Sequence, residues 1–193
     1  MVSNAREKVP FSIYDTITVK DSETHGRLFV RGGGDRSPDK DFGAGFLQSD
    51  QTAQIERLVL EVRTANVLDL GVLRMGLNFD FIVGDRIYPV LPPLLDKIGP
   101  DGVARYDYFC DPQYIDFDEK ALIAEMEKDA KTSPKAQAFF DKYVHRSANP
   151  VCIAARQGFR VHYSANAEAF KVLCHPETIA RVYLVGTAVR DIK

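Results

Sequence analysis

The chain has 193 residues, 45% hydrophobic and 27% charged, with a formal net charge of -2. That apolar content excludes disorder of the whole chain, and a balanced charge without a basic run excludes a polyanion binder built on clustered Lys and Arg. Three scattered cysteines (Cys110, Cys152 and Cys174) exclude a disulfide scaffold and read as reduced, partly buried thiols. The charged start lacks an apolar signal core, and no apolar stretch reaches membrane-spanning length.

The first strand is expected over 11–19, where Phe11, Ile13, Ile17 and Val19 share one face and Ser12, Thr16 and Thr18 the other. Residues 21–26 read as a turn and 27–31 as a short strand. Gly32 to Asp50, with three adjacent glycines at its start, is expected to be a flexible surface loop. Ile55 to Arg63 alternates Leu58, Leu60 and Val62 against Val59, Glu61 and Arg63. Leu77 to Val83 and Arg86 to Tyr88, joined by Gly84-Asp85, form the strongest hairpin signal, closed off by Pro89, Pro92 and Pro93. Val103 to Phe109 is a further strand.

Residues 116–145 change period. Asp116 and Glu119 are spaced as a capping box before Ala121, Leu122, Ile123 and Met126, and Ser133-Pro134 opens a second helix carrying Phe139, Phe140, Tyr143 and Val144. Strands resume at 150–154 and at 159–164, where Phe159, Val161 and Tyr163 alternate with Arg160, His162 and Ser164. Phe170 to Cys174 is another short strand. Ile179 to Val189 ends the series, with Gly186 as a bulge or a point of close approach. The expected fold is all-β, one antiparallel sandwich or single jelly roll over residues 1–193. The loop 32–50 and a two-helix insertion at about 116–145 lie within it.

Chemistry is sought and mostly not found. Arg31 to Arg36 is glycine-rich, but no Gly-Lys-Ser/Thr follows and no helix opens there, so a phosphate loop is not indicated. The histidines His25, His145, His162 and His175 show no metal-ligand spacing. Cys174-His175, read in a strand, would point to opposite faces. His162 is expected to face solvent or an interface. Asp111, Asp116, Asp118 and Glu119 read as helix-capping charge rather than an acid/base pair or a calcium site. Cys152, between Val151 and Ile153, reads as a small core residue. No catalytic, cofactor-binding or metal residue is assigned, no cofactor is expected, and the chain is not expected to be an enzyme.

The order of features resembles jelly-roll capsid proteins of tailless icosahedral bacterial viruses, often membrane-containing. The resemblance rests on Ile13 to Ile17, Leu28-Phe29, and Gly45 to Leu47 leading to Ile55 to Leu58. It continues in the Leu77 to Tyr88 hairpin with Pro92-Pro93-Leu94, and in the C-terminal runs 150–161 and 181–190. It implies a structural shell subunit in a virion, made in a host cytoplasm, and trimeric or pseudo-hexameric. The partners it implies are copies of itself, then a second capsid protein and an internal membrane; neither a specific nucleic acid nor a small-molecule substrate is implied. The competing readings are a cupin-like β-barrel metal enzyme and a carbohydrate- or receptor-binding β-sandwich such as a viral spike, with Tyr14, Tyr88 or Tyr108 as sugar-stacking rings.

Overall fold

Side-chain alternation decides which face of each strand is buried, and the strands stack into two sheets with the core between them. A computed structural model describes residues 6–17, 23–30, 45, 47, 51–90, 98–108, 117–134 and 150–191. In chain order the elements are β1 (Arg6–Thr16), β2 (His25–Leu28), β3 (Gln51–Arg63), α1 (Leu68–Gly76), β4 (Leu77–Val83), β5 (Arg86–Val90), β6 (Ala104–Asp107), α2 (Phe117–Ala130), β7 (Val151–Ile153), β8 (Phe159–Ala165), α3 (Ala167–Leu173) and β9 (Ile179–Asp191).

The larger sheet runs β1-β9-β3-β6, with β7 also paired to β3, and the smaller runs β2-β8-β4-β5. All the pairings are antiparallel. β6 and β7 pair with different stretches of β3, at 59–62 and 53–55. Counted as one position, they leave eight strand positions with nested pairing: first with last, second with seventh, third with sixth, fourth with fifth. Such a chain is one long hairpin folded over into two layers. The all-β sandwich expected from period-two alternation is the fold observed.

β3 shows how alternation survives an extra residue. Gln51, Ala53 and Ile55 are buried, and so are Leu58, Leu60 and Val62, although the parity changes between the two sets. The register slips there: Ile55 faces Gly186 and Arg57 faces Val185, so Glu56 is a β-bulge that returns both halves to the same face. The bulge belongs to β3, and Gly186 is the point of close approach. A Cβ on Gly186 would overlap the Gln54 carbonyl.

β1 borders the larger sheet. Ile17 N–H donates to the Ala180 carbonyl at 2.8 Å, which makes the odd residues of β1 the ones that bond β9. Even residues, Pro10 among them, direct their backbone away from β9. Asp15 lies on the core face between Ile13 and Ile17 and is only 2% exposed. Its carboxylate accepts from Thr16 N–H at 2.8 Å and from Phe29 N–H at 2.7 Å. Phe29 directly follows β2 and holds a positive φ of 61°, so one carboxylate ties the edge strand of one sheet to the end of the other's edge strand. This buried acid interrupts the otherwise apolar face read from sequence.

Helices close one end of the sandwich, and two of them differ from the sequence expectation. Phe170 to Cys174 is not a strand: α3 begins after Asn166, whose side chain accepts from Ala169 N–H at 2.9 Å, and Cys174 is its C-cap. α1 is entered through Asn66, whose Oδ1 accepts from Leu68 N–H at 3.1 Å, a start signal the sequence reading passed over, and it buries Leu70, Leu73 and Gly76. Gly76 is needed because a Cβ there would meet Ala169 and Asn166 of the α3 segment at 2.6 Å. α2 is the first helix of the expected insertion, and Pro134 is helical; the rest of the second, over 135–145, lies outside the described residues. So does most of the 32–50 loop, of which Gly45 and Leu47 are described and buried. No described helix is long and apolar enough to cross a membrane.

Candidate functional site

The structure scatters most of the residues that carry chemistry. His175 sits in the turn after α3, where its Nδ1 accepts from Glu177 N–H at 3.4 Å, so the Cys174-His175 pair is not in a strand at all. Cys152 is exposed, contrary to the core reading: Val151 and Ile153 point inward, and alternation turns the thiol between them outward. Cys174 is exposed too, so neither described thiol is the partly buried one expected. Asp118 and Glu119 lie in the first turn of α2. Arg31 to Arg36, His145, Cys110, Asp111 and Asp116 lie outside the described residues. Among the described residues no group of three or more His, Cys, Asp or Glu could hold a metal.

Of the tyrosines considered for sugar stacking, Tyr108 is 1% exposed, with its ring edge-on to Phe79 at 4.9 Å. It is core and offers no face to a ligand. Tyr88 is half-buried and packs against the core. Tyr14 lies on the outer face of the larger sheet, directly opposite Tyr183, with ring centroids 5.3 Å apart and the Arg181 guanidinium 5.5 Å over the Tyr14 ring. Tyr183 O–H reaches Glu61 at 3.5 Å, and Glu61 takes Arg105 at 3.3 Å. Burial, then the Glu61 charge, pushes the Tyr183 phenol above its ordinary value. Arg105 also grips Asp101 at 2.8 Å, which with the Val103 N–H holds that carboxyl at about 2.

The smaller sheet gathers a different set. Arg27 of β2, His162 of β8 and Asp80 of β4 stand directly opposite one another across three strands, and His25, Ser164 and Asn78 form the next row. Period two puts all six on the outer face together with Arg160. Arg160 Nε–H donates to His162 Nε2 at 3.1 Å. The neutral ring therefore carries its proton on Nδ1. Burial, then Arg160 and Arg27, hold His162 below the ordinary histidine range, against the opposing pull of Asp80. Beside this row is a cleft of about 390 Å³ lined by Glu23, His25, Gly26, Arg27, His162 and Tyr163. The sequence oriented His162 correctly by alternation, but the neighbours Arg27 and Asp80 come from strand order, which no local pattern displays.

A second cleft, of about 430 Å³, lies where β3 and β7 of one sheet face the β4-β5 turn of the other, and its lining includes Gln54, Arg86, Cys152 and Gln157. No described histidine is hydrogen-bonded to a serine or cysteine side chain. What the outer faces can do is hold surfaces: an aromatic and ion-paired one on the larger sheet, a polar and cationic one on the smaller. Set against protein-family models, curated proteins and solved structures, the chain matches none.

Proposed function

We propose that this protein is a structural shell subunit: a single jelly-roll capsid protein that assembles with copies of itself into an icosahedral virion. The observation that carries the reading is the nested pairing of eight strand positions across two antiparallel sheets, the wiring of jelly rolls, which viral shells use repeatedly. Lateral contacts in a closed shell are individually modest and sum through symmetry, so such a subunit needs rigid sheets and adhesive surfaces rather than a reaction centre. α1 supports this by exposing Val67, Leu68 (80% exposed) and Met75 near the end of the sandwich that it closes. A contact with a second capsid protein or an underlying membrane is part of the same proposal.

Light scattering on the purified chain, followed by electron microscopy under assembly conditions, tests it. Rings, capsomers or shells are expected. A chain that stays monomeric across salt, pH and concentration overturns the reading.

A further inference from the structure

We infer that the outer face of the smaller sheet is a head-to-tail contact surface that receives the acidic stripe of α2 from a second copy of this chain. This inference rests on the shell reading and names one of its contacts. Two observations meet in it, one from each side of the contact.

The receiving face is an unpartnered sheet surface. His25, Arg27, Asn78, Asp80 and Ser164 are exposed, and Arg160 and His162 are half-buried. Arg27 forms no ion pair among the described residues, and Arg160 spends its Nε–H on neutral His162 rather than on a carboxylate. Of the charges acting on His162, Arg160 and Arg27 are positive and Asp80 alone is negative. The face thus sets two guanidiniums against the Asp80 carboxylate, with Glu23 lining the cleft beside them.

The donor is α2. Its residues Glu125 and Asp129 are spaced i and i+4, which places them on one side of the helix about 6 Å apart along its axis at 1.5 Å per residue. Glu125 and Asp129 are exposed, and neither forms an ion pair among the described residues; Glu127, on another side, is met by Lys131 at 3.9 Å. No described strand or helix packs extensively against α2. The two guanidiniums and the imidazole of one surface are opposite in sign to the Glu125 and Asp129 carboxylates of the other. Because the two surfaces are different patches of the same molecule, the contact is heterologous and generates rings or extended lattices, as a shell requires.

The chemistry gives the contact a pH dependence. His162 faces Arg27 and His25 from β2, Asp80 from β4, and Arg160 on its own strand. Below its depressed range it gains a proton on Nε2, loses the Arg160 hydrogen bond, and adds a charge to the face.

The test uses sedimentation of the full chain. Self-association should tighten on acidification from about pH 8 to about pH 5.5, and weaken at least about tenfold as salt rises from about 50 to about 500 mM. Arg27→Glu, alone and with Arg160→Glu, should weaken it by a similar factor, and so should Glu125→Lys with Asp129→Lys. Mixing the two reversed variants should restore association between them. Thermal melts identify any variant that fails to fold, and the exposed Arg27→Glu change then stands as the test. If wild-type protein assembles and the reversed variants assemble equally well, this contact is wrong and the shell reading stands. If inorganic phosphate raises the melting temperature of a protein that never self-associates, the face binds small anions and both proposals fall.

Discussion

The two sheets of the sandwich spend their outer faces differently. β3 and β9 of the larger sheet run 13 residues each, and outward-facing Tyr14, Val59, Glu61, Tyr183 and Val185 are all half-buried. Its outer side chains engage one another, through the Tyr14–Tyr183 ring pair and the Glu61–Arg105–Asp101 chain of ion pairs. The strands of the smaller sheet are four to seven residues long, and most of its outward side chains are exposed and unengaged. The difference is one of satisfaction: one surface is engaged internally and adds to stability, the other is left open to solvent.

That difference can be broken most severely at the bulge. Gly186→Val drives a branched side chain into the Gln54 carbonyl and is expected to cost about 4 kcal/mol or to prevent folding, read as a lowered denaturation midpoint. Next comes the tie between the sheets. Asp15→Ala removes the acceptor of two main-chain N–H groups, one of them buried, and should destabilise by about 3 kcal/mol, whereas the same change at exposed Asp80 should stay within about 0.5 kcal/mol.

A finer contrast lies between the outer faces themselves. Tyr183→Ala on the larger sheet should cost about 1.5 kcal/mol through the lost ring pair and partial burial, while Arg27→Ala on the smaller should leave the melting temperature of the monomer unchanged. The smallest effect is that of His162. Its folded-state value lies below the unfolded one, so the unfolded chain takes up the proton first and its contribution to stability is lost as pH falls from about 6.5 through the depressed value. His162→Gln should flatten that slope slightly in pH-dependent melts of the monomer at high salt; an unchanged slope would assign it to other groups.

How much of this could be read beforehand depended on whether the signal was local. The β4-β5 hairpin announced itself through Gly84-Asp85, with Gly84 at a φ of +58°, and α2 through its capping residues. The parity of Cys152 and the parity change between Ile55 and Leu58 were also local; the rule that turned His162 outward applies equally to both. α1 and α3 were missed for the same reason: each is short and apolar, and the asparagine that opens it, Asn66 or Asn166, was overlooked. The Asp15 tie and the Arg27–His162–Asp80 row were not legible at all. Each joins residues from segments far apart in the chain, and only strand order brings them together.

Pro10 has a consequence for how the larger sheet can be extended. Its missing N–H falls on the side of β1 that points away from β9, so the existing ladder loses nothing, while a foreign strand arriving at that border would find a gap in the row of donors and a ring in its way. Polymerisation by simple continuation of the sheet, the route toward fibrils, is obstructed at the longest border strand.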